Sequence, residues 1–205
     1  MSYIDLHVSG ADAGVMTKFS KELGWDKLCF IFDTPKPGEV PKGHFAGFKI
    51  NAKNDRELMK KINLVSDYDV VLVSGDNTVL RKASTMGEVD VLARPEEAAG
   101  HDYMHQRDSG LDKVIVRNCA ENDIAVELDF SQVLNSKGSR RARIIGRMAQ
   151  NIELCQKYGA MIVITSGAKT NKGLRNPKDM ASFFSLLGLR NAELSLTEVP
   201  KKLLT

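Results

Sequence analysis

Cysteine, histidine, aromatic side chains and long apolar runs are all scarce in this 205-residue chain. The three cysteines, Cys29, Cys119 and Cys155, are far apart and form no CxxC pair. Neither a disulfide framework nor a zinc cluster is expected, and the three read as small core residues in a reducing compartment. Only four histidines occur, His7, His44, His101 and His105, with no His-x-His among them. A multi-metal centre built on imidazoles is therefore not expected. Aromatics make up 6% and none interleaves with the arginines, so a base-stacking platform is not indicated. The apolar runs, 70–73 and 161–164 among them, are far short of the ~20 residues a membrane helix needs. Residues 1–7 have neither a basic start nor an apolar h-region. No secretory signal is expected, and the cytoplasm is the expected address.

What remains is an ordinary globular composition, 42% hydrophobic and 27% charged. Short apolar, β-branched runs predict strands over 3–6, 27–32, 45–50, 70–74, 89–92, 124–128 and 161–165. Several are apolar on both faces, as buried parallel strands are. Helical spacing fills the gaps over 14–23, 55–63, 77–85, 110–121, 139–158 and 177–187. Asp55, Ser139 and Asn176 read as N-caps, with Pro177 at the first helical position. Gly24, Gly159 and Gly188 fall just past helix ends, where a left-handed residue is wanted. Alternating β-α units in one domain over 1–205 predict a parallel sheet with right-handed crossovers. With about seven strands, the expectation is an incomplete or distorted barrel of TIM type, the alternative being a Rossmann-like open sheet. Stretches 33–44 and 94–109 lack periodicity and read as loops.

The net charge of +3 hides an asymmetry. Residues 1–130 hold 16 basic and 22 acidic side chains. Residues 131–175 hold nine basic ones and a single acid, Glu153. With so few acids to pair the arginines, the block reads as an electrostatic footprint for nucleic acid. Arg140, Arg143 and Arg147 share an arc of about 60° on the predicted helix, opposite Ile144, Ile145, Met148 and Ile152. Arg141 falls on the apolar side. The small, hydroxyl and basic residues of 166–175, with Lys169, Lys172 and Arg175, suit phosphate oxygens but form no Walker A loop.

Two motifs near the start carry less. Asp5-Leu6-His7-Val8-Ser9, at the end of the first strand, resembles the His-x-His start of the PHP phosphoesterases, but Ser9 stands at the second ligand. A hydroxyl is a poor substitute for imidazole, and His7 reads as a hydrogen-bonded histidine near a barrel mouth. Gly10-Ala11-Asp12-Ala13-Gly14 is not a dinucleotide fingerprint and reads as a plain βα turn.

The segments Val89-Asp90-Val91-Leu92-Ala93-Arg94-Pro95, Asp108-Ser109-Gly110-Leu111, Asn122-Asp123-Ile124-Ala125-Val126-Glu127-Leu128, Arg140-Arg141-Ala142-Arg143, and Ile164-Thr165-Ser166-Gly167-Ala168 with Leu174-Arg175-Asn176-Pro177 occur in this order. Together they resemble the archaeal and eukaryotic ribonuclease P protein component 3 family. The resemblance implies a barrel related to the PHP phosphoesterases that has lost its metal site. It implies an RNA-binding subunit of a tRNA 5′-processing endoribonuclease, with no catalytic residue and no cofactor of its own. Magnesium is expected on the RNA. The implied partners are ribonuclease P RNA, protein component 2 and, indirectly, precursor tRNA. The family often carries Asn-His after the Asp-Ser-Gly segment, where this chain has Asp112-Lys113. The candidate RNA-binding residues are Arg94, Arg107, Lys113, Arg117, Arg140, Arg141, Arg143, Arg147, Lys169, Lys172 and Arg175. A divergent metal-dependent phosphoesterase and a binding-only barrel for an anionic metabolite are the alternatives.

Overall fold

A computed structural model of the chain describes residues 2–10, 12–34, 40–98, 102 and 108–204. Seven strands are present among them: β1 (Ile4–Val8), β2 (Lys27–Phe32), β3 (Phe45–Asn51), β4 (Val70–Ser74), β5 (Val91–Leu92), β6 (Ala125–Asp129) and β7 (Ile162–Thr165). All neighbours pair in parallel and in sequence order. Between β1 and β7 the ladder is reduced to one bridge, Val8 with Ala168, where Ser9 N donates to Ala168 O at 2.8 Å. The sheet thus curls into a TIM-type barrel with a thin seam, as the strand count predicts.

The helices are α1 (Ala13–Glu22), α2 (Asp55–Ile62), α3 (Asn77–Ala83), α4 (Pro95–Ala98), α5 (Lys113–Glu121), α6 (Phe130–Leu134), α7 (Gly138–Tyr158), α8 (Pro177–Leu186) and α9 (Glu198–Leu203). Asn176 caps α8 with Pro177 behind it, and Gly24, Gly159 and Gly188 take positive φ, as read from the sequence. Three details differ. Asn54, not Asp55, caps α2, because its side chain reaches Glu57 N. Lys137, not Ser139, precedes α7, and no side chain caps that end. Residues 95–98 of the expected loop form the single turn α4, and α6 and α9 escaped the periodicity reading because each is only five or six residues long. The rest of loops 33–44 and 94–109 falls mostly outside the described residues.

Side-chain alternation splits the core in two. Ile4, Leu6, Cys29, Ile31, Val70, Leu72, Val91, Ala93, Ala125 and Val163 fill the barrel. A larger layer between strands and helices holds Phe48, Ile50, Val71, Leu128, Met148 and Phe184, among others. All three cysteines are free and buried, consistent with small core residues. At the N-terminal ends of the strands, aspartates latch neighbours together. Asp26 accepts from Tyr3 N, Asp69 from Ala46 N and Asp90 from Val71 N, at 2.7–2.8 Å. Part of the acidic excess in the first 130 residues is therefore structural.

Candidate functional site

In this barrel type, side chains at the strand C-termini form the working face. Here they surround a cavity of about 370 Å³ lined by His7, Ser9, Asp33, Lys49, Asn51, Ser74, Arg94, Glu97, Asp129 and Lys169, among others. The period of two along β6 puts Ala125, Glu127 and Asp129 on the interior side, and along β3 it does the same for Gly47, Lys49 and Asn51. His7 joins them through a bulge: the β1 register shifts between Asp5 and Val8. Bulges beside functional sites commonly re-aim a side chain in this way.

His7 Nδ1 lies 2.6 Å from Glu127 Oε1, with both residues buried. Thr165 Oγ1 donates to the same carboxylate oxygen at 2.7 Å. Burial alone would raise the Glu127 carboxyl, but His7, Lys49 and Thr165 outweigh it and hold the group below its ordinary range. Asp129 Oδ1 accepts from Ser131 N at 2.7 Å, and its Oδ2 lies 3.0 Å from Arg94 Nε. Gly167, at φ +57, presses against this carboxylate; a Cβ there would sit 2.1 Å from Asp129 Oδ1. Asp5 lies under the seam and accepts from His7 N and Ser166 N. Burial outweighs those bonds and raises its carboxyl to about 6. The expected histidine near the barrel mouth is thus present, with a partner 120 residues away.

A second polar cluster joins α4 to α7. Glu96, 1% exposed, accepts from Asn151 Nδ2 at 2.8 Å and Gln132 Nε2 at 3.1 Å. Burial raises its carboxyl to about 7 against these hydrogen bonds. Arg147 donates to Glu96 O at 3.1 Å and to Asp102 Oδ1 at 2.9 Å. Its hydrogen bonds hold the Asp102 carboxyl below the usual range.

The predicted basic residues divide by environment. Lys113, Arg117, Arg140, Arg143, Lys169 and Lys172 are exposed. Arg117 rests over the Tyr158 ring at 5.1 Å, and Arg143 lies 3.8 Å from Asp102. Arg141 and Arg175 are half-buried; Arg141 donates to Ser136 O, and Arg175 donates to Lys172 O and Leu174 O. Arg94 is turned into the mouth, and Arg107 lies outside the described residues. Arg147 corrects the sequence reading. It is 7% exposed, because α4 covers the Arg147–Asn151 edge of α7 that polarity had assigned to solvent. Arg140 and Arg143 open a groove of about 520 Å³ with Ser139 and Glu97. Asn135, just before α7, and Lys169 line the same mouth, so the start of α7 and the loop after β7 share one end of the barrel.

Lys49, Glu96, Glu127, Asp129 and Asn151 are not among the candidate residues that the sequence singles out. The usable signal was a carboxylate inside an otherwise buried strand: Glu127, in a β6 whose five residues are all buried, had to be paired.

Residues 2–205 match the family model described as RNase P subunit p30. The chain belongs to the RNase P subunit p30 family. Its relatives include ribonuclease P protein component 3 of Methanococcus maripaludis strain C6, 33% identical over 145 residues, covering 70% of this chain and 60% of the relative. The counterpart in Methanothermobacter thermautotrophicus is 34% identical over 162 residues, 77% of this chain and 63% of the relative. That in Methanosarcina mazei is 30% identical over 201 residues, 92% and 81%. The match thus spans less than two thirds of the Methanococcus maripaludis C6 relative. The p30-family chain also superposes on a chain of a cryo-EM structure of archaeal ribonuclease P with mature tRNA. The TM-score is 0.81 at 24% identity, over 98% of this chain and 89% of that one, a likeness that shows the fold.

Proposed function

We propose that this chain is an RNA-binding protein subunit of ribonuclease P, supporting the catalytic RNA in removing the 5′ leader of precursor tRNA. The observation that carries the reading is the exposed basic face on a p30-family barrel. Arg140 and Arg143 stand at the open start of α7, and Lys169 and Lys172 stand on the loop after β7. Arginine's planar fork suits phosphate, and the uncapped helix end adds positive potential. Arg141, Arg175, Lys113 and Arg117 border or extend this face, while Arg94 and Arg147 act inside the protein. The partners in this reading are ribonuclease P RNA, protein component 2 and, through the RNA, precursor tRNA. Magnesium belongs to the RNA, and the protein contributes no catalytic residue. The expected compartment is the cytoplasm; among the described residues no helix is long and apolar enough to cross a membrane.

The test is precursor-tRNA cleavage reconstituted with the RNA and partner proteins, with and without this chain, at limiting magnesium. Omission should reduce cleavage. Arg140→Ala/Arg143→Ala should weaken RNA binding for all sequences alike and lower the slope of log affinity against log salt by roughly 2, about one per phosphate contact. An unchanged slope with unchanged cleavage would show that this face is merely solvated.

A further inference from the structure

We infer that Arg94 stands in for a divalent cation at the barrel mouth, and that His7, Glu127 and Asp129 become a metal site once its guanidinium is removed. These three residues are buried, and each offers one ligand atom within 4.8 Å of the others. One imidazole and two carboxylates form a donor set suited to manganese or a similar divalent ion. Glu127 Oε2 adds an independent sign: it is buried and has no hydrogen-bond partner. An orphaned carboxylate oxygen in such a place has a lone pair free to accept from a cation or a proton donor.

The wild-type mouth nevertheless does not fit a metal ion, because the chain supplies its own cations. Arg94 Nε lies 3.0 Å from Asp129 Oδ2, and its Nη2 lies 3.0 Å from Glu97 Oε1. The contact with Asp129 is an ion pair without hydrogen-bond alignment, since Arg94 Nε makes no hydrogen bond. Charge, not directed bonding, holds it. Arg94 reaches this position from a left-handed backbone, φ +53, which a non-glycine residue keeps only when its surroundings require it. Lys49 lines the same cavity, with Lys169 and Asp33 further out on exposed positions. Two fixed positive charges beside the donor set oppose a divalent ion at close range. Removing Arg94 leaves Asp129 without its cation and restores a net negative donor set.

The test is a manganese titration of the full chain, followed by electron paramagnetic resonance, with circular dichroism to verify the fold. Manganese avoids the soft thiols that zinc would seek. Wild type should not saturate at millimolar manganese. Arg94→Ala should gain one site per chain, on the order of 10–100-fold tighter, the scale on which neighbouring groups tune metal sites. Arg94→Ala/Asp129→Asn should lose the gain, and Arg94→Lys should behave like wild type. Arg94→Met, which keeps the aliphatic stem, replaces the alanine variant if that one does not fold. Stoichiometric binding by wild type, abolished in Asp129→Asn, overturns the inference. So does a folded Arg94→Ala or Arg94→Met that binds no better than wild type. Cleavage of precursor tRNA is not the readout, so either outcome leaves the RNA-binding reading untouched.

Discussion

Arg147→Met is expected to lower folding stability by about 2–3 kcal/mol, whereas Arg140→Ala on the same helix stays within ~0.5 kcal/mol of wild type. The methionine keeps the stem but leaves Glu96 O without its donor and Asp102 with only the more distant Arg143 as a cation, at 3.8 Å. Asp102 is an exposed residue, which places the cost below that of a fully buried broken pair and leaves most of it on the unpartnered Glu96 O. Urea midpoints of the two variants give the comparison. The salt slope of RNA binding separates them a second time: Arg140→Ala should lower it and Arg147→Met should not. If Arg147→Met proves as stable as wild type and flattens the slope, Arg147 is a surface contact after all.

Glu96→Gln is expected to make the protein more stable at pH 8, on the order of 2 kcal/mol, and nearly neutral at pH 5. Burial raises the Glu96 carboxyl to about 7, from 4.5. A raised carboxyl favours the fold when protonated, so its contribution is complete below pH 4.5 and is lost as pH rises through about 7. Asp5, raised to about 6, acts with the same sign through a lower window. The amide oxygens of Gln132 and Asn151 are buried without partners beside this carboxyl. A protonated Glu96, or the glutamine that mimics it, offers a donor that an ionised carboxylate lacks. Urea midpoints of wild type and variant at pH 5 and pH 8 decide the matter. Parallel pH profiles for the two proteins would show that Glu96 does not titrate in this range.

The barrel was legible because strand burial writes itself into local sequence. Runs such as 70–73 and 162–164 are apolar on both faces, short and rich in β-branched residues, which a buried parallel strand accommodates. Five-residue helices such as α6 carry too few turns for a period to show. The site was legible only in half. His7 announced itself, but Glu127 and Asp129 approach it through tertiary structure, 120 residues on in the case of Glu127. Helical angle separated Arg140 from the apolar stripe correctly and failed at Arg147. Angle says which residues share a side, and only packing says whether α4 covers that side.

The single bridge between β1 and β7 also sets an order on synthesis. Each of β2 to β7 pairs with the strand made just before it, so all seven strands can assemble as the ribosome delivers them. The last contacts, Ser9 with Ala168 and Asp5 with Ser166, wait for residues made 159 and 161 positions later. Until then the nascent sheet carries an open edge at β1, the kind of edge that recruits stray strands. The basic loop that follows β7 is delivered by the same stretch of chain that supplies the closing partners. A nascent chain therefore gains its full positive face only at about the moment the cylinder can shut, and, in the proposed reading of that face, RNA would meet an unfinished surface before then.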